Sequence, residues 1–351
     1  MSGLENLTVL LVEDSQQLRA LLVSVLSQLG VGNIVRANDG ADAIRQIKAM
    51  QTDPGSIGAT SIDLVLSDWL MEPIDGATLL RWIRRHKDSP DRFMPFIMVS
   101  AYSDWDRVQT ARNLGVNEFL AKPFSVASVF EHINAVIQDT RSFVRTDSFF
   151  GPDRRRNRKH VSDEKRVIHP SGKDSMEKRI RFYAAPRALR RKVGPDLNAN
   201  IATIVKIQKE LDDWNDDFVK WTNEYISQIN RRLVAARAKD VSNRRVDFNE
   251  INRVSHELRG QGGIFGYPLV SAVAKSLFEL TKDTLDRSDD CLQLIQDHVG
   301  TLRAVLRDEV RGDGGQVGIE IVKAMRQANA KFLREQGDLS LVSRDFLKNN
   351  R

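Results

Sequence analysis

The chain has 351 residues, 41% hydrophobic and 28% charged, which is too long for one typical domain and apolar enough to bury two or three cores. No apolar run approaches the ~18 residues of a membrane span and the first residues carry no signal-peptide pattern, so membrane insertion is not expected. A single cysteine, Cys291, allows no internal disulfide and points to a reducing cytoplasm; the net charge of +6 is local, because residues 151–195 hold 15 Lys and Arg against 5 Asp and Glu and leave the rest of the chain at −4.

In chain order, residues 7–12 form an apolar strand that ends in Glu13-Asp14, and Ser15 is placed to cap a helix with Leu18, Leu21, Leu22, Val25, Leu26 and Leu29 on one face. Ile34 to Ala37 reads as a second strand and Ala41 to Met50 as a second helix, followed by a Pro/Gly/Ser/Thr loop over about 51–61. Ile62 to Leu66 is a buried-strand run with Asp68 at its C-terminal end, and Pro73 and Asp75-Gly76 turn the chain into a helix to His86. Pro95 to Ser100 is a fourth strand, Asp104 to Leu114 a helix, Val116 to Ala121 a fifth strand, and Ser125 to Arg141 the last helix of this region. Five strands alternating with helices predict a doubly wound parallel α/β sheet whose strand C-termini share one edge.

That edge collects Glu13, Asp14, Asp68, Ser100 and Lys122. Three neighbouring carboxylates call for a cation, and an all-oxygen ligand set suits Mg²⁺. A hydroxyl and an ammonium beside them suit a phosphoryl group, whose oxygens need donors and positive charge. No glycine fingerprint follows the first strand, which disfavours a dinucleotide site.

On these residues, 4–141 resembles a response-regulator receiver domain. The resemblance implies a flavodoxin-like sheet of order 2-1-3-4-5 and Asp68 as phosphoacceptor. It also implies Mg²⁺ held by Glu13, Asp14, Asp68 and the backbone carbonyl of Leu70. Ser100 and Lys122 would bind the phosphoryl oxygens, Phe119 would be the aromatic switch position, and Lys122-Pro123 a cis peptide. Leu70 offers no polar side chain to orient water and Tyr102 is bulky beside Ser100, so the aspartyl phosphate is expected to be long-lived.

Residues 142–195 form a basic stretch with few apolar side chains, and a flexible linker is expected there, roughly 35–40 Å across for forty-five disordered residues. Nucleic acid is disfavoured as a partner, since the tract has no folded reading element and no helix-turn-helix is evident. From 196 to 337 only helical patterns occur. One long amphipathic helix is expected to about Ala238, with Ile204, Leu211, Phe218 and Tyr225 in a seven-residue row suited to a bundle or to a homodimeric coiled coil, and further helices near 247–264, 268–285, 290–311 and 317–335. Residues 338–351 read as a C-terminal tail.

Within this all-α region, Val254 to Gly266 places four glycines in seven residues after His256, at about 1 kcal/mol each relative to alanine in a helix. Val254, Leu258 and Phe265 can face a core while His256 and Arg259 face out, with Gly260, Gly263 and Gly266 clearing the surface for a neighbouring protein. This stretch resembles the motif of a histidine phosphotransfer (HPt) domain: His256, a basic residue in Arg259, and Gly260, Gly263 and Gly266. The resemblance implies a phosphate-carrying His256 on a helical bundle. Ser255 to Arg259 is also similar to the H-box of sensor kinases, but Gly260-Gln261-Gly262 follows it and no glycine-rich ATP-binding segment lies downstream, so kinase activity is not expected.

Together these imply a two-component phosphorelay protein that takes phosphate on Asp68 and exchanges it through His256. A sensor histidine kinase or another phosphohistidine would be the donor and a receiver protein the downstream partner. Two alternatives stand beside this reading. In one, phosphorylation at Asp68 switches a helical binding module in which His256 carries no phosphate; in the other, the chain is a phosphate sink.

Overall fold

The computed structural model describes residues 3–50, 61–101, 105–154, 180–184, 188–194, 201–212, 214–282 and 287–335. The chain divides into two compact units, residues 1–209 and 210–351.

The first unit follows the alternating pattern: β1 (Thr8–Val12), α1 (Gln16–Gln28), β2 (Asn33–Ala37), α2 (Gly40–Ala49), β3 (Leu64–Asp68), α3 (Gly76–Arg85), β4 (Phe96–Ser100), α4 (Trp105–Leu114), β5 (Glu118–Ala121) and α5 (Val126–Ile137). Every pairing is parallel and the order is β2-β1-β3-β4-β5, as expected of a flavodoxin-like sheet. Every residue of β1, β3 and β4 is buried, which is why those strands read as continuous apolar runs rather than alternations. Helix starts are fixed by side chains: the Ser15 hydroxyl accepts from Leu18 N–H, Asp39 from Ala41 and Asp42, Asp75 from Thr78, and Ser125 forms a capping box with Ser128. Lys122-Pro123 is cis, as expected, and so is Glu72-Pro73.

The expected flexible linker is a different object where it is described. β6 (Phe143–Arg145) pairs antiparallel with both β7 (Phe150–Pro152) and β8 (Arg181–Tyr183) in a three-stranded sheet. Its cause is aromatic: Phe93 contacts Phe143, Phe150 and Tyr183, with ring centroids 5.0, 5.2 and 5.8 Å away. The small sheet closes over Gly115, where φ is +92° and an added Cβ would lie 2.4 Å from the Phe150 carbonyl oxygen; only glycine serves both the turn and the approach. Beneath it the Arg84 guanidinium is buried. It donates to the carbonyls of Gly115, Arg92 and Met94 and to Asn117 Oδ1 at 2.7–3.0 Å, under the Phe143 ring. Burial pulls this guanidinium down to about 9, still charged at neutral pH. Further along, α6 (Ala188–Val193) ties back to the N-terminal residues, with Lys192 Nζ 2.6 Å from Asp63 and Asn6 donating to the Lys192 carbonyl. The tether reading therefore fails for 142–154 and 180–183, while 155–179 lies outside the described residues.

The expected single helix over 196–238 is two: α7 (Ile201–Asp212), which straddles the division between the units, and α8 (Asn215–Arg237). The break falls inside the seven-residue row, yet Leu211, Phe218 and Tyr225 are all buried. α8, α9 (Arg245–Gln261), α10 (Pro268–Leu280) and α11 (Asp289–Arg307) pack in cyclic order as a four-helix bundle, and α12 (Gly315–Glu335) adds against α10 and α11. The expected tail, 338–351, and the 51–60 loop lie outside the described residues.

A buried polar chain pins α12. His298 Nδ1 donates to the Leu294 carbonyl at 2.8 Å, which leaves Nε2 to accept from the Ser276 hydroxyl at 2.9 Å, and Asn329 Nδ2 donates to the Ser276 hydroxyl and carbonyl. Burial holds the imidazole below its ordinary pKa of 6.5, so the folded chain keeps it neutral where the unfolded chain protonates it. Its contribution is present above 6.5 and is lost as pH falls below it, at no more than about 1.4 kcal/mol per pH unit for one proton. Urea melts at pH 7.5 and pH 5 should therefore show a larger acid loss for the wild-type chain than for His298→Gln. Equal losses would show that His298 does not titrate in this way.

Candidate functional site

The register of the parallel sheet builds the site. Val12 lies opposite Ser67, Asp68 opposite Val99 and Ser100 opposite Ala121, so Glu13, Asp68, Ser100 and Lys122 are brought to the same strand ends. Asp68, Ser100 and Glu13 are buried. Lys122 Nζ lies 2.8 Å from Asp68 Oδ2 and 3.2 Å from Glu13 Oε2, and the Lys122 N–H donates to the Ser100 carbonyl at 2.7 Å. Asp68 Oδ1 accepts from Trp69 N–H at 2.7 Å, leaving Oδ2 as the oxygen that faces the ammonium.

Carboxylate oxygens of Glu13, Asp14 and Asp68 lie within 4.8 Å of one another. Asp14 opens to solvent on one side, yet crowding away from water and then the facing Asp68 charge push its carboxyl above the usual carboxylate range. A set of hard oxygen donors held together against its own repulsion fits a divalent cation such as Mg²⁺. Arg19 steadies the loop that carries the pair: its Nη1 donates to the carbonyls of Glu13 and Asp14. Leu70 packs its side chain against the core beside the site, and Tyr102 lies outside the described residues.

Phe119 is half-buried and meets Trp69 edge-on at 6.4 Å, while the Arg107 guanidinium carbon stands 5.5 Å above the other aromatic system of the pair, that of Trp69. Trp69, next to Asp68, thus touches both Phe119 and α4. Trp69 and Arg107 were not singled out from sequence; Trp69 stood in plain view beside Asp68 but reads there as one more apolar strand-end residue.

In the second unit, His256 lies in α9 with Val254 and Leu258 fully buried, as the helical spacing requires, and Phe265, past the end of α9, is nearly so. The imidazole is half-buried with Nδ1 inward, its ring 5.8 Å from that of Phe278 on α10. The Arg259 guanidinium carbon is 5.9 Å from the same ring. Glu257 is buried and accepts from Gln261 Nε2 at 3.0 Å. The glycines differ from expectation. Gly260 is buried inside α9, and Gly263 donates its N–H to Ser271 Oγ at 2.8 Å. Of the three, Gly266 alone is exposed, with φ at +77° in the turn into α10. Gly262, which carried no role in the sequence reading, is the tight one: a Cβ there would lie 2.8 Å from Ser271 N and from the Tyr267 carbonyl oxygen. The row mainly lets α9 and α10 approach and turn, and only its end clears the surface.

Comparison with known proteins finds a match over each of the two regions. Residues 9–134 match the response regulator receiver domain and residues 214–308 the Hpt domain. The chain is 35% identical over 136 residues to a probable chemotaxis protein CheY of Rhizobium etli, covering 39% of this chain and 96% of that protein. It is 28% identical over 134 residues to chemotaxis protein CheY-3 of Vibrio cholerae, covering 38% and 94%. Among solved structures, the CheX–CheY–BeF3–Mg complex of Borrelia burgdorferi is similar at 27% identity and a TM-score of 0.33, over 38% of this chain and 90% of that one. The chain belongs, through residues 9–134, to the response-regulator receiver family, and joins to it an Hpt domain at residues 214–308.

Proposed function

We propose that the chain is a phosphorelay protein without kinase activity of its own, in which Asp68 accepts a phosphoryl group and His256 exchanges it with Asp68 or with another receiver. The observation that carries this reading is the Lys122 ammonium held between Asp68 and Glu13 at the strand ends, a cation already placed where phosphoryl charge would arrive.

A carboxylate oxygen of Asp68 forms the new P–O bond as the P–N bond of a phosphohistidine donor breaks, and the leaving imidazole keeps the electron pair and takes a proton. The Lys122 ammonium and the Ser100 hydroxyl stabilise the transferred oxygens. Glu13, Asp14 and Asp68, with the carbonyl of Leu70, would hold Mg²⁺, which when bound neutralises charge on the phosphoryl oxygens. Phe119, in edge contact with Trp69, is the side chain that registers the change at Asp68. At the other centre the buried Nδ1 leaves Nε2 of a neutral His256 as the nucleophile, with Arg259 beside it to balance the phosphoryl charge. A sensor histidine kinase would supply phosphate and a receiver protein would draw it off.

The test uses two full-length variants of different tag length. His256→Gln carries label on Asp68 from a small acyl phosphate and Mg²⁺; Asp68→Asn offers only His256. After removal of the donor and mixing, acid-labile, base-stable label is expected on the Asp68→Asn chain. Label that stays on Asp68, together with no label reaching His256 of the Asp68→Asn chain from other phosphorylated receivers of the same cell, would favour a switched binding module instead.

A further inference from the structure

Asp14 is the member of the acidic cluster best able to leave it. It is exposed where Glu13 and Asp68 are buried, and the facing Asp68 carboxylate repels it. Glu13 is secured through its side chain: Oε1 accepts from the Ser15 N–H and Oε2 faces Lys122 Nζ, both at 3.2 Å. Around Asp14 the backbone is secured by Arg19, whose Nη1 donates to the Glu13 carbonyl and, at 3.4 Å, to the Asp14 carbonyl. These two carbonyls belong to the peptide groups on either side of the Asp14 Cα. Holding both therefore fixes φ and ψ of Asp14 and with them the direction of its Cα–Cβ bond. Arg19 itself has a rigid base. Its N–H donates to the Ser15 carbonyl at 2.9 Å in the first turn of α1, and Leu18, Leu21 and Leu22 of that helix are buried.

We infer that Arg19 is a positioning residue for the divalent cation: by fixing the backbone on both sides of Asp14 it keeps that carboxylate turned toward Glu13 and Asp68, so the cation meets ligands already gathered. This inference rests on the reading of Glu13, Asp14 and Asp68 as the Mg²⁺ site. The guanidinium carries two effects of opposite sign. As a positive charge near the cluster it opposes a second cation, so losing the charge alone would tighten Mg²⁺ binding. As an anchor it removes the cost of ordering the loop when the cation arrives, so losing the anchor weakens binding. Arg19→Met keeps an apolar stem and loses charge and donors together, and the direction of its effect tells the two apart. Groups that orient a metal ligand from outside are worth about ten- to a hundredfold in affinity, and the lost charge returns part of this, so the net expectation is about three- to tenfold weaker binding.

The test titrates Mg²⁺ by calorimetry into the full-length chain and its Arg19→Met variant, with Asp14→Asn as the control that identifies heat from this site. Circular dichroism checks the fold. A second reading follows initial uptake of label by Asp68 from a small acyl phosphate in a His256→Gln background. There Arg19→Met should raise the half-saturating Mg²⁺ concentration about three- to tenfold and keep the rate at saturating Mg²⁺ within about twofold. A loss of folded chain would do the reverse, lowering the saturated rate and leaving the half-saturating concentration in place. Unchanged or tighter Mg²⁺ binding by Arg19→Met would overturn the inference, as would a fall confined to the saturated rate. If the wild-type chain gives no Mg²⁺ heat that Asp14→Asn removes, the cation site is wrongly assigned and the inference falls with it. If Mg²⁺ binding shifts as expected but Asp68 takes no label, the proposed function fails and Arg19 keeps its part in cation binding.

Discussion

Asp68→Asn should reduce phosphoryl label taken from a small acyl phosphate to background, at least about a hundredfold below the wild-type chain, while the fold survives. An amide oxygen is a poor nucleophile and the amide cannot form an acyl phosphate, so residue 68 itself can no longer take the phosphoryl group. The same change removes one of the three acidic groups clustered within 4.8 Å, so Mg²⁺ binding should weaken as well. Folding should be little affected, because Lys122 keeps Glu13 at 3.2 Å and the Asp68 charge, which adds to burial in lifting the Asp14 carboxyl, is removed. Label that persists at the wild-type level in Asp68→Asn would place the acceptor elsewhere and remove the basis for the proposed function. Because His256 is intact in this variant, the experiment belongs in a His256→Gln background, where only the receiver can take label.

The largest effect on stability is expected from Arg84→Leu, at about 3–5 kcal/mol. Three backbone carbonyls, those of Gly115, Arg92 and Met94, lose their donors in a buried setting, and the face of Phe143 loses its cation. The desolvation that draws the guanidinium down to about 9 is removed at the same time, which offsets part of the loss but restores no donor. For a unit of this size the change corresponds to a fall of roughly 10 °C in the melting transition of the α/β unit. Calorimetry of the full-length chain can resolve this, and the transition of the helical unit should stay in place. Lysine at 84 should recover little, since a single ammonium cannot span three carbonyls and Asn117. A shift under about 2 °C would mean the carbonyls find water and Arg84 is replaceable.

The receiver core was legible because parallel strands buried on both faces leave uninterrupted apolar runs, as in Thr8–Val12, Leu64–Asp68 and Phe96–Ser100. Its candidate site was legible for the same reason: once the strands are placed, their last residues and those just after them name Glu13, Asp68, Ser100 and Lys122. The small sheet was not. Three-residue strands carry no usable periodicity, and what forms them is the meeting of Phe93 with Phe143, Phe150 and Tyr183, across up to ninety positions of sequence. Charge in the surrounding basic tract hid those few aromatics. The break between α7 and α8 was missed because the seven-residue apolar row runs through it without change. At the Hpt site the motif placed His256 and Arg259, but Phe278 comes from another helix and no local spacing joins it to them.

The pairing of β8 with β6 has a practical consequence. Arg145 stands opposite both Phe150 and Arg181, so the chain leaves the small sheet after β7 and rejoins that same sheet at β8. Residues 154–180 are thus a closed excursion with both ends anchored on one domain. The cost of closing such an excursion grows only logarithmically with its length, about 0.6 kcal/mol for each doubling. Lengthening the connection between β7 and β8 should therefore add only about this closure cost, whereas an insertion between β6 and β7 would part a four-residue hairpin connection.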